Sequence, residues 1–206
     1  MYKPYGIIPP LITPFDAQGH VDFAAMARMA VFLVDGGVHG LFPFGTTGEF
    51  YALDDDEYVK GLETVRDAVA DKTTRSGRPI QLLAGCSHIT TREVIRLIKL
   101  VEQVGGYDAV SVLTPMFISQ TQEELYTHYR TIAESTTMPV LMYNNPPKTN
   151  VNIAPATAAR LAHDCGNIIG IKDSSGDMTN CGEYLRLTAD VRDHFQVIMG
   201  RDTMIY

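Results

Sequence analysis

Short apolar runs alternate along this chain with longer stretches in which apolar residues recur every three or four positions. The runs are Gly6–Thr13, Gly40–Gly45, Ile80–Gly85, Ala109–Leu113, Val140–Asn144, Ile168–Lys172 and Gln196–Gly200. They are apolar at consecutive rather than alternate positions, the pattern of parallel strands covered on both faces. The stretches between them predict helices near 22–36, 55–75, 91–105, 122–136, 155–164 and 178–189. Three of these open with capping-box pairs, Asp54 with Glu57, Thr90 with Glu93 and Thr121 with Glu124, in which each partner serves the other's orphan N–H. The 91–105 helix carries its apolar stripe at Val94, Ile95, Ile98, Val101 and Val104 and stops at Gly105-Gly106.

The strand–helix unit thus recurs about seven times. That suits an α/β fold, either a TIM-type (β/α)₈ barrel or an open doubly wound sheet. No GxGxxG follows the first run, which weighs against a dinucleotide-binding sheet. Ser76-Gly-Arg-Pro79 reads as a helix-to-strand turn, so one barrel domain is expected over residues 1–206, with no linker. The strand count stops one short of eight. The expectation is therefore a C-terminally incomplete barrel, open between its first and seventh strands.

Charge and composition narrow the function classes. Lys and Arg number 17 against 24 Asp and Glu, a formal charge of −7, and the basic residues are scattered, so no nucleic-acid footprint is present. No apolar run reaches the ~20 residues of a membrane span, and the first residues lack the apolar core of a signal peptide. Cys86, Cys165 and Cys181 form no CxxC pair, which points to reduced thiols and a cytoplasmic setting. No His, Cys, Asp or Glu spacing fits a metal site; the acidic Asp54–Glu57 segment suits a helix N-terminus instead.

Polar and unusual residues gather just after the C-terminal ends of the apolar runs, where barrels of this type build their sites. Lys172 ends one such run. At a buried strand end its ammonium would be poorly hydrated, favouring a free amine able to attack a ketone; a stem that snorkels to solvent is the other reading. Tyr143 ends another run, as a proton relay or as an aromatic plug with a satisfied hydroxyl. The loop Gly45-Thr46-Thr47-Gly48-Glu49 offers N–H groups and hydroxyls suited to a carboxylate, or is an ordinary glycine-rich turn. Lys148 is an anion contact or a solvated loop charge. Phe117 reads as packing, and His88 as a rim or helix-entry residue.

Taken together and in order, Gly45-Thr-Thr-Gly-Glu49, Tyr143-Asn-Asn-Pro146 and Gly170-Ile-Lys-Asp-Ser-Ser-Gly176 resemble the dihydrodipicolinate synthase / N-acetylneuraminate lyase family of pyruvate-handling class I aldolases. The opening Gly6-Ile-Ile-Pro-Pro-Leu-Ile-Thr-Pro-Phe15 resembles that family's first strand, and the likeness runs from about residue 4 to the end. The resemblance implies that Lys172 forms the Schiff base with pyruvate and that Tyr143 is the acid/base beside it. It implies that Thr46, Thr47 and Gly48 bind the substrate, with the pyruvate carboxylate held at Thr46 and Thr47, and that Thr47 is catalytic along with Lys172 and Tyr143. Gly200, with Arg201, Asp202 and Thr203, would border the far end of the substrate. Neither metal nor organic cofactor is implied, because the iminium is itself the electron sink.

The reaction implied is condensation of pyruvate with an aldehyde, dihydrodipicolinate-synthase-like, or cleavage or dehydration of a 2-keto-3-deoxy sugar acid or sialic-acid-type substrate. A homo-oligomer, tetramer or dimer, would be the full-length form. A non-catalytic barrel or fragment that binds keto acids is the reading from a different class. Two positions depart from the synthase pattern. Met116-Phe117 stands where a relay tyrosine from a neighbouring subunit is usual, and phenylalanine relays no proton. Lys148 stands where an arginine usually holds the aldehyde's carboxylate, and it lacks the bidentate fork.

Overall fold

In the computed structural model, which describes residues 2–204, the chain forms two compact units. Of the described residues, one unit comprises Pro4–Cys86 with Ile98–Val110, and the other comprises residues 2–3, 87–97 and 111–204. The elements in order are α1 (Phe23–Asp35), β1 (Gly40–Leu41), α2 (Asp55–Ala68), β2 (Gln81–Gly85), α3 (Thr91–Val104), β3 (Ala109–Leu113), α4 (Gln122–Glu134), β4 (Val140–Asn144), α5 (Pro146–Thr149), α6 (Pro155–Asp164), β5 (Ile168–Asp173), α7 (Met178–Leu187) and β6 (Gln196–Met199). Strand order follows sequence order. The β1–β2, β4–β5 and β5–β6 pairings are parallel. This is the parallel α/β architecture that the apolar runs predicted.

Six strands stand among the described residues, where seven were expected. The run Gly6–Thr13 makes only an isolated parallel bridge, Pro10 with Phe42. Pro9 and Pro10 have no N–H to give a ladder. The segment is nevertheless held: Leu11 N–H donates to Phe42 O at 2.9 Å and Phe42 N–H to Pro9 O at 3.1 Å. The second run keeps only Gly40 and Leu41 as strand, because Phe44 turns into the left-handed region at φ +60°. The helix expected over 55–75 ends at Ala68.

In the first unit α1 packs on α2. Met26, Ala30 and Val34 recur at four-residue spacing and are buried, as are Tyr58, Leu62 and Val65 of α2. The Asp54–Glu57 capping box is formed in full. In the second unit the box at Thr121 and Glu124 likewise opens α4, α6 lies against α4 and α7, and every residue of β4 is buried. At the start of α3, Thr90 Oγ1 accepts from Glu93 N–H at 3.4 Å. No helix of the described residues is long and apolar enough to cross a membrane.

Candidate active site

The parallel register of β4 and β5 decides which side chains meet. Tyr143 lies opposite Lys172 and Asn144 opposite Asp173. Side chains alternate along a strand, so the two pairs face opposite sides. On one side Lys172 Nζ stands over the Tyr143 ring, 4.1 Å from its centroid. Tyr143 is buried and its hydroxyl accepts from Asn145 Nδ2 at 2.9 Å. Lys172 keeps some exposed surface along its length. Desolvation nonetheless pulls the ammonium below its ordinary value of 10.5, against the opposing pull of the Tyr143 hydroxyl. The surroundings thus favour the nucleophilic amine.

On the opposite side a closed polar network anchors both strand ends. Asn144 Nδ2 donates to Asp173 Oδ1 at 2.9 Å and to Asn152 Oδ1 at 2.8 Å. Its Oδ1 accepts from Ile153 N–H at 3.0 Å. Asp173 Oδ2 takes the Ser175 hydroxyl at 2.8 Å. Tyr184 of α7 joins the cluster and donates to Ile153 O. Consecutive residues of one tripeptide therefore serve different sides: Tyr143 and Asn145 the lysine side, Asn144 the anchoring side.

Gly200 follows β6 and gives its N–H to Asp173 O at 2.7 Å. A Cβ there would lie 2.0 Å from Ser174 Oγ and 3.2 Å from Lys172 Cε. The Ser174 hydroxyl is what chiefly excludes a side chain here, with Asp173 O and the lysine stem close behind. Lys148 sits on α5 with its side chain exposed, and Asp202 lies exposed in a 3₁₀ turn over Asp202–Met204. Arg201 Nε donates to Ser174 O at 3.3 Å. His88 is exposed, and its Nδ1 accepts from Thr90 N–H at 3.3 Å, the helix-entry role. Phe117 is 90% exposed and in the left-handed region at φ +81°.

The Gly-Thr-Thr loop belongs to the first unit. Thr46–Gly48 form one 3₁₀ turn, with Gly48 N–H donating to Gly45 O at 2.9 Å. Gly48 is buried, Thr46 half-buried and Thr47 exposed. Thr13 Oγ1 donates to Gly48 O at 2.6 Å. The loop leaves Phe44 in a strained left-handed conformation. That strain is held by burial: the Phe44 ring is 4.9 Å from the Tyr58 ring, and Tyr58 Oη donates to Gly85 O at 2.9 Å. A strained, locked turn beside two threonines is the kind of backbone found at ligand sites. Among the described residues, no group of three or more His, Cys, Asp or Glu is placed to hold a metal ion.

Lys172, Tyr143 and Gly200 are thus brought together, with Lys148 and Asp202 on nearby turns of the chain. Reading by residue type alone passed over Asn145. The signal was present: it stands two residues beyond Tyr143 at a strand end, the spacing that puts two side chains on one face.

The model of the Dihydrodipicolinate synthetase family matches residues 3–206. A 4-hydroxy-tetrahydrodipicolinate synthase of Thermotoga neapolitana is 36% identical over 197 residues, covering 96% of this chain and 64% of that protein. The crystal structure of YagE from E. coli K12, a prophage protein of the dihydrodipicolinic acid synthase family in complex with pyruvate, superposes with a TM-score of 0.86 at 32% identity, covering 96% of this chain and 63% of that one. The 2-keto 3-deoxygluconate aldolase of Picrophilus torridus superposes with a TM-score of 0.86 at 32% identity, over 100% of this chain and 69% of that one. The chain spans less than two thirds of the length of the Thermotoga relative.

Proposed function

The chain belongs to the dihydrodipicolinate synthetase family, and from that footing we propose that it is a class I aldolase that binds pyruvate as a Schiff base on Lys172. The observation that carries this reading is the desolvated Lys172 amine set 4.1 Å from the Tyr143 ring. The free amine attacks C2 of pyruvate. Tyr143 gives a proton to the resulting carbinolamine hydroxyl, which leaves as water as the iminium forms. The iminium then draws electrons from C3, a C3 proton is released, and the enamine adds to an aldehyde carbonyl. Thr46, Thr47 and Gly48 bind the pyruvate carboxylate through N–H groups and hydroxyls, and no metal or organic cofactor takes part. Three free, buried thiols suit a reducing, cytoplasmic setting. The full-length form is a homo-oligomer, tetramer or dimer.

Incubation with pyruvate and borohydride, followed by peptide mass mapping, tests the central step. The expected product is one reduced adduct, on Lys172. An adduct on another lysine, or none in folded protein, overturns the reading.

The preferred second substrate is a small anionic aldehyde, whose charge the exposed Lys148 would meet. Cleavage or dehydration of a 2-keto-3-deoxy sugar acid is the second reading, favoured by Phe117, which has no hydroxyl to relay a proton, and in keeping with the Picrophilus aldolase. Turnover with pyruvate plus an aldehyde panel, run beside cleavage of keto-deoxy sugar acids, separates the two.

Tyr143→Phe should lower turnover by roughly 10²–10⁴-fold, the usual worth of a general acid/base. Stability should change little, since one hydroxyl is lost. If the variant unfolds while its folded fraction keeps full activity, Tyr143 is structural. Lys148→Ala should raise KM for an anionic aldehyde by roughly 10- to 100-fold, the worth of one charge-assisted hydrogen bond, with pyruvate trapping unchanged. Loss of trapping in that variant would place Lys148 at the pyruvate end.

A further inference from the structure

Asn145 stands at the N-cap of α5, where an asparagine side chain ordinarily accepts from a backbone N–H of the first turn. It makes no such bond. Its backbone carbonyl alone takes the N–H groups of Lys148 and Thr149, at 2.9 and 3.1 Å. The side chain is spent on Tyr143 instead: Nδ2 donates to the phenol oxygen at 2.9 Å. Asn145 is 8% exposed and Tyr143 5%, so water competes little for this bond. Asn145 is itself held from behind. Thr149 Oγ1 donates to its carbonyl at 3.2 Å and accepts from Thr114 Oγ1 at 2.9 Å.

A phenol oxygen has one proton and acceptor lone pairs. A donor fixed on the oxygen occupies an acceptor position and restricts the directions open to the O–H. It also stabilises the phenolate more than the phenol. We propose that Asn145 is a positioning residue for Tyr143, orienting its hydroxyl and easing both halves of its proton exchange; this rests on the acid/base role assigned to Tyr143 above. In the first half the phenol proton passes to the carbinolamine hydroxyl, which departs as water while the nitrogen lone pair closes the C=N bond. In the second the phenolate takes a proton from C3 of the iminium, and those electrons form the enamine double bond.

Other titratable groups also face Tyr143 or its strand. Lys172 approaches from β5, its Nζ 4.1 Å from the ring centroid and its amine paired with the Tyr143 side chain. Tyr129 of α4 donates its hydroxyl to Val112 O at 3.0 Å. Asp173 is turned to the opposite side with Asn144.

The test reads Tyr143 itself, without substrate. Protein labelled with ¹³Cζ-tyrosine is titrated, the Tyr143 signal being assigned by its absence in Tyr143→Phe. Asn145→Val should raise the Tyr143 midpoint by about one unit. Asn145→Asp, which offers a carboxylate in place of the donor, should raise it at least as far and should not rescue turnover lost in Asn145→Val. Equal midpoints, a lower midpoint in Asn145→Val, or a Tyr143 that stays a neutral phenol throughout the folded range in every protein overturns the proposal. A lower midpoint is the result expected if the phenol donates to the amide oxygen. Borohydride trapping is run alongside. Absence of the pyruvate adduct in unmodified protein would sink the Schiff-base reading whatever the titration shows. An intact adduct with equal midpoints would sink only the role of Asn145.

Discussion

A Lys172→Met protein should form no borohydride-stable pyruvate adduct and have no turnover, yet melt at a higher temperature than the unmodified protein at neutral pH. The first half follows from loss of the amine that makes the covalent bond. The second follows from its surroundings. Desolvation lowers the Lys172 ammonium below its ordinary 10.5 in the folded protein. The unfolded chain therefore holds more protons between the folded-state midpoint and 10.5, and stability rises with pH across that window. Below it the lysine carries its full desolvation cost. Methionine fills similar space without a charge. The difference in melting temperature should thus be greatest at neutral pH and shrink as the pH climbs toward 10.5. Thermal melts of both proteins over a pH series measure it. A methionine variant less stable than the parent at pH 7 would mean that the folded protein satisfies the ammonium, which would remove the physical basis for a nucleophilic amine.

Asn144→Ala should cost about 2–4 kcal/mol, since two buried hydrogen bonds are lost together and their partners are left short. Asn144 and Asp173 are 0% and 1% exposed. The substitution removes the 2.9 Å donor to Asp173 Oδ1 and the 3.0 Å acceptor for Ile153 N–H in one step. Replacement donors are few, because Asp173 is then left with Ser175 N–H at 3.2 Å and the Ser175 hydroxyl at 2.8 Å. Chemical denaturation with an unchanged m-value is the measurement. A loss below about 1 kcal/mol would show that water enters and satisfies the carboxylate. Activity should fall as well, since the network seats the strand ends that carry Tyr143 and Lys172. That fall should track the folded fraction rather than appear as a new pH dependence, which separates Asn144 from Asn145.

The two asparagines illustrate how much of this molecule was legible in its residues. Apolar runs marked β2 to β6 to within a residue or two, because strands buried on both faces carry little but apolar side chains. Capping boxes marked the starts of α2 and α4, because those bonds are local in sequence. The Gly-Thr-Thr loop, Tyr143 and Lys172 were legible by motif. The first run read as a strand and is not one among the described residues: apolarity reports burial, whereas a ladder needs N–H groups that Pro9 and Pro10 lack. The α2 end was overestimated by seven residues, 75 against 68, since helix-compatible residues continue past the point where the chain turns.

What composition and pattern determined by themselves is the parallel α/β class, the order of its elements and the chemical types gathered at the strand ends, since each of these depends on near neighbours in the chain. Only the tertiary structure decided that Lys172 lies over Tyr143, that Asn145 serves the phenol rather than its own helix, and that Gly200 packs against Ser174 beside the lysine stem. Those facts depend on the register between β4 and β5 and on the close approach of β6. Register is set by which side chains fit across two strands remote in sequence, and a desolvated amine exists only once those strands have met.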